Sequence, residues 1–186
     1  MPRYYRPKER FEIVQPEEMG RYIAEAGTKV LRLYLALVYL TGARASEIRN
    51  LKREDVTFDP INGDITFVIH SLKRGKIGYC PFRVTDPLVQ EVWDFIKEFP
   101  FGTCPFGQRT VRHYQMKLMH LNQKLHPEDK ENWLTLHYLR HSRITFIARI
   151  LQASSEEIKG WTGHRSTAFE DYFQPRKVER FRGKIR

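Results

Sequence analysis

Cysteine is scarce in this chain. Its two, Cys80 and Cys104, stand far apart and form no C-x-x-C pair. That spacing argues against both a disulfide framework and a zinc ribbon, and it fits a reducing cytoplasm. Long apolar runs are missing too. The longest, Val30 to Leu40, is broken by Arg32 and is too short to cross a bilayer. The start, Met1-Pro2-Arg3-Tyr4-Tyr5-Arg6, has charge without a following apolar stretch, so neither a signal peptide nor a membrane partner is expected. Glycine (11) and proline (10) are too few for a low-complexity chain. Acidic residues are in deficit, 22 against 32 basic, for a net charge of +10. From His137 to Arg186 there are 11 basic and 5 acidic residues, so this last quarter supplies most of the excess. A basic excess concentrated in this way points to a polyanion, with nucleic acid the first choice.

At 186 residues and 41% hydrophobic content the chain can bury a core as one domain. Residues 1–10, basic and aromatic with two prolines, read as an arm or linker remnant, 11–175 as the folded unit, and 176–186 as a basic tail. Pro16-Glu17-Glu18 opens a helix with proline and acids in its first turn. A nearly all-apolar helix follows over 28–40, ended by Gly42. Residues 55–58, 64–69 and 77–80 alternate with a period of two and are separated by turn sequences, which predicts a small antiparallel sheet. Helices are predicted again over 86–98, 107–124, 134–151, 154–161 and 166–174, and Ser154-Ser155-Glu156-Glu157 reads as a capping box. The expected fold class is α+β, mainly α-helical with a three-stranded antiparallel sheet.

Four segments carry chemistry. Arg44 follows a glycine turn and precedes a short helix, where backbone N–H groups favour an anion, and Glu47 is spaced to hold its guanidinium. The same pair would serve equally as a surface ion pair. Lys73 and Lys76 lie in the predicted hairpin turn, where lysine also serves solubility alone. His137, Arg140 and His141 stand at i, i+3 and i+4 and share one helix face. Two histidines at i, i+4 suit zinc, but Tyr138 takes the place of the glutamate of H-E-x-x-H, and no third ligand follows. Gly163-His164 ends the capped helix, and Tyr172 is the one tyrosine downstream of all these segments.

In this order the set resembles the catalytic domain of tyrosine recombinases, the phage-integrase type of site-specific recombinase. Thr41 to Ile48 matches Thr-Gly-x-Arg-x-Ser-Glu-Ile, His137 to His141 matches His-x-x-Arg-His, and Gly163-His164 is followed by Tyr172. The hairpin lysine is matched by Lys73, counting back from Pro81, with Lys76 as the fallback. The interval from His164 to Tyr172 is one residue shorter than the family pattern. The resemblance runs from about Glu17 to Tyr172 and does not reach an N-terminal core-binding domain, which implies a catalytic fragment or one of the short forms that invert fimbrial promoters.

The resemblance implies a metal-free and cofactor-free catalytic set of Arg44, Lys73, His137, Arg140, His164 and Tyr172. Glu47, Lys76, His141, Arg143 and Arg165 would support the set or contact DNA. It also implies double-stranded DNA as partner, worked on by a homotetramer that is monomeric when free. Two other readings stand beside it. A type IB topoisomerase uses much the same residues to relax supercoils. A helix-turn-helix regulator over Leu151 to Phe173 would explain the charge but leave Arg44, Lys73 and the His137–His141 face without a purpose.

Overall fold

The structure, a computed structural model, describes residues 13–72, 75–130 and 133–163. Its centre is a helix with a long buried apolar run. Helix α2 (Lys29–Thr41) begins where the Thr28 hydroxyl accepts from the Leu31 N–H, and it ends at Gly42 in the left-handed conformation, φ 65°. Leu33 through Val38 are wholly buried, as expected for a helix that is apolar on every side. Around it pack α1 (Pro16–Glu25), the short α3 (Ala45–Arg49), α4 (Pro87–Ile96), α5 (Val111–Leu125) and α6 (Leu136–Arg149). Helix α7 (Ser155–Thr162) carries the capping box read from the sequence: Ser154 and Glu157 each accept from the other's backbone N–H.

Three strands interrupt the helices: β1 (Val56–Asp59), β2 (Asp64–His70) and β3 (Ile77–Arg83), antiparallel in the order β1-β2-β3. On β2 the inward residues Ile65, Phe67 and Ile69 alternate with partly exposed neighbours. Strand β3 is an edge and runs three residues beyond the expected 77–80. It accommodates Pro81 because an edge strand need not use every N–H.

Helix α5 begins at Val111, four residues later than the sequence predicted. Thr110 caps it by accepting from the His113 N–H at 3.1 Å. The preceding residues turn instead around Gly102, at φ 83°, and Gly107, whose N–H reaches the Cys104 carbonyl. The helix expected over 166–174 lies outside the described residues.

The β3–α7 contact sets much of the geometry that follows. A Cβ at Gly78 would fall on the carbonyl oxygen of Trp161 and come within 3.1 Å of the Gly163 nitrogen. Strand and helix end therefore meet backbone to backbone, and only glycine permits it.

Candidate active site

The turn after α2 is where distant segments converge. Thr41 Oγ1 donates to the Leu37 carbonyl and accepts from the Ala43 N–H, which shapes the turn. Two carbonyls of this turn are then taken from afar. Trp161 Nε1 of α7 donates to the Thr41 oxygen at 2.7 Å, and Arg140 Nη1 of α6 donates to the Gly42 oxygen. Arg140 is only 5% exposed. A charge so deeply placed needs partners, and the left-handed Gly42 turns its carbonyl outward to supply one.

Arg44 is the N-cap of α3. Glu47, 3% exposed, accepts from the Arg44 backbone N–H and from its Nη1, both at 2.8 Å. One buried carboxylate thus fixes both the main chain and the guanidinium. The Arg44 side chain is still 30% exposed.

Arg44, His137 and Arg140 line one open cleft of about 460 Å³. Arg112 and Gln115 of α5 line it as well, and the sequence reading did not single out either. Gln115 also accepts from the Leu136 N–H at 3.2 Å, tying α5 to the start of α6. A helical periodicity count would have placed Arg112 and Gln115 together at i, i+3, but nothing local marks that face as the one beside His137.

His137 and His141 meet ring to ring, with Nε2 atoms 2.6 Å apart and planes at 81°. Nitrogens this close share one proton, so one ring donates and the other accepts. Burial, then the neighbouring His137 and Arg140, hold His141 down to about 4, which keeps it neutral near pH 7.

Arg143 goes elsewhere. Its guanidinium lies within 6 Å of the Phe82, Phe146 and Trp161 rings, and its Nε has no hydrogen-bond partner. It lines a separate groove with Tyr39 and Ile13. Burial holds its basicity below that of a free arginine. Lys76 is half-buried just before β3, and its carbonyl accepts from the Ser71 N–H at 2.7 Å. Lys73, His164, Arg165 and Tyr172 lie outside the described residues. Cys80 is buried against the Trp161 carbonyl, and burial pushes its thiol well up, which disfavours the reactive thiolate. Among the described residues no three His, Cys, Asp or Glu side chains come together as a metal site, and no helix is long and apolar enough to cross a membrane.

The domain is mainly helical with a three-stranded sheet, and its cleft carries Arg44, Arg112, Arg140 and His137. The family model described as the phage integrase family matches residues 12–174, and the chain belongs to that family, with the tyrosine recombinase catalytic-domain fold. Among solved structures, the XerH site-specific recombinase bound to difH substrate in a pre-cleavage complex is similar, with a TM-score of 0.64 at 20% identity. That match covers 93% of this chain and 52% of the other. The Tn1549 transposon integrase in complex with transposon right end DNA gives 0.64 at 18%, covering 100% and 67%. The lambda integrase tetramer bound to a Holliday junction gives 0.59 at 18%, covering 83% and 47%. The chain thus spans about half the length of XerH and lambda integrase. The search of curated proteins gave no match.

Proposed function

We propose that this chain is the catalytic unit of a site-specific DNA recombinase that cuts and rejoins strands through a 3′-phosphotyrosyl link. The observation that carries the reading is the convergence of Arg44, His137 and Arg140, from elements far apart in sequence, on one cleft. A phosphodiester there would be gripped by the two arginines, whose planar forks suit its non-bridging oxygens. Arg140 is held by the Gly42 carbonyl and Arg44 by Glu47, so both donors are oriented before DNA arrives, the condition under which such donors stabilise a developing charge.

In this mechanism the Tyr172 oxygen forms a bond to phosphorus and gives its proton to His137. The bond to the 5′ oxygen breaks, and that oxygen takes its electron pair and a proton from Lys73. His164 adds a donor to the same oxygens. With fixed cations meeting the charge, the mechanism asks for no metal and no cofactor. Because the bond energy is kept in the phosphotyrosyl link, a 5′ hydroxyl from a second duplex reverses the step. The partner is duplex DNA, and four copies acting on two synapsed sites is the assembly this chemistry fits.

The test uses a nicked duplex, selected by binding from a random-sequence pool, in EDTA. An SDS-resistant protein–DNA adduct is expected, lost in Tyr172→Phe while binding persists. An adduct that survives the substitution would remove Tyr172 from its role. Binding without any adduct favours the regulator reading, and site-independent relaxation of supercoiled plasmid favours the topoisomerase.

A further inference from the structure

The last residue of β2 is a histidine with no packing reason to be there. His70 stands opposite Ile77 at the turn end of the hairpin, with its side chain 55% exposed. Its Nε2 lies 2.8 Å from Asp55 Oδ1, and against an ionised carboxylate it is the ring that donates. Asp55 is nearly buried, and its other oxygen accepts from the Lys52 N–H at 2.9 Å. The carboxylate is therefore pinned at both oxygens and cannot swing to follow the ring.

Two connections give this pair a consequence. Asp55 closes the 3-10 turn Arg53–Asp55, a few residues beyond α3, so the segment that anchors His70 is the one that carries Arg44 and Glu47. A recess of about 400 Å³ runs between them, walled by Glu47, Lys52, Asp55, His70 and Leu72. On the other side, Ser71 donates to the Lys76 carbonyl at 2.7 Å and Gly75 donates to the Ser71 carbonyl at 3.2 Å. These two bonds tie Gly75 and Lys76 directly onto the end of β2, so a displacement of His70 is passed on to the residues that flank Lys73 in sequence. A surface pair with one exposed partner contributes little to stability, and a geometric role suits it better.

We propose that His70 and Asp55 are positioning residues, which lock the end of β2 to the α3 segment and so set where the hairpin lysine meets the leaving 5′ oxygen. The proposal rests on the mechanism above, with Lys73 as the proton donor. In cleavage the phosphorus–O5′ bond breaks, its electron pair goes to O5′, and the Lys73 ammonium supplies the proton. If sulfur replaces that bridging oxygen, the leaving group is a thiolate, which is far less basic than an alkoxide and departs without a proton. Everything else, including the grip of Arg44 and Arg140, is unchanged. The sulfur substrate therefore isolates the proton-donation step.

The experiment is single-turnover adduct formation by the full chain on the oxygen-bridged and 5′-sulfur-bridged forms of the same nicked duplex. His70→Ala is expected to be slower on oxygen by roughly 10- to 100-fold, the scale of a misplaced catalytic group, and to match the wild type on sulfur. His70→Gln, which keeps an N–H aimed at Asp55, is expected to behave as wild type on both. A His70→Ala defect of equal size on both substrates, or on neither, overturns the proposal. Lys73→Ala separates the two levels. It too is expected to be slow on oxygen and restored on sulfur, and if it shows no such split, the lysine assignment fails and the role of the pair fails with it.

Discussion

Glu47, almost without solvent contact, holds Arg44 twice, once by the backbone nitrogen and once by Nη1, each at 2.8 Å. The guanidinium is thereby fixed relative to the helix start rather than to another flexible side chain. Glu47→Ala should leave Arg44 charged and hydrated but no longer aimed. Loss of this cap costs about 1 kcal/mol of stability. Cleavage is expected to fall much further than that, by about 10², with DNA binding little changed. Adduct kinetics alongside a denaturant melt separate the two effects. Parallel losses in both would mean that Glu47 is only a structural residue.

Arg112 offers a different kind of test. It is exposed on α5 and lines the cleft with Arg44 and Arg140, where a flanking phosphate would lie. Arg112→Ala should weaken binding to all duplexes alike and reduce the slope of log affinity against log salt by about one. The unfolding midpoint should stay put. A salt slope equal to that of the wild type removes Arg112 from the interface.

Gly78 is predicted to be intolerant of any side chain. Its Cβ would press on the carbonyl of Trp161 and approach the nitrogen of Gly163, and backbone does not step aside as a flexible side chain does. Gly78→Ala should cost about 1–3 kcal/mol, the usual cost of overpacking, read from the shift in urea midpoint. A variant as stable as the parent would mean that strand and helix can separate freely.

His141 makes stability depend on pH. Its folded value lies below its ordinary 6.5, at about 4, with burial the leading cause. The unfolded chain therefore binds the proton more readily, and the stabilisation from the neutral ring is fully present above about pH 6.5 and lost as pH falls toward 4. His141→Gln should flatten the stability profile across that window, measured by urea unfolding at a series of pH values. The partial exposure of the ring keeps the effect modest. An unchanged profile would place the acid sensitivity elsewhere.

How much of this could be read from the chain alone depends on how local each signal is. The central helix α2 was legible because Thr28 and Gly42 mark its ends and everything between is apolar. Helix α7 announced itself by the Ser154–Glu157 box. The start of α5 was not legible, because the turn before it is held by bonds among Cys104, Gly107 and distant Arg49, whose guanidinium donates to the Gly107 and Arg109 carbonyls. At the site, the spacing of Arg44 to Glu47 and of His137 to Arg140 could be seen locally. Arg112 and Gln115 could not, since a cation and an amide in the first turns of a helix look like any wetted face until α6 is laid beside them. Arg143 shows the reverse. The resemblance grouped it with the residues expected to support the set or contact DNA, and the structure sets it over three aromatic rings. His70 carried no local sign at all, because its partner Asp55 belongs to the segment before the sheet.

The glycine contact between β3 and α7 also bears on how such a site can diversify. Where two side chains meet, a family can retune a distance in small steps by exchanging one residue for a slightly larger one. At Gly78 there is no side chain to exchange, and the spacing between the strand after the lysine turn and the helix before His164 is set by main chain alone. Change would then fall on surfaces such as the outward face of α5, while the separation between the strand and the helix end stays fixed from one descendant to the next.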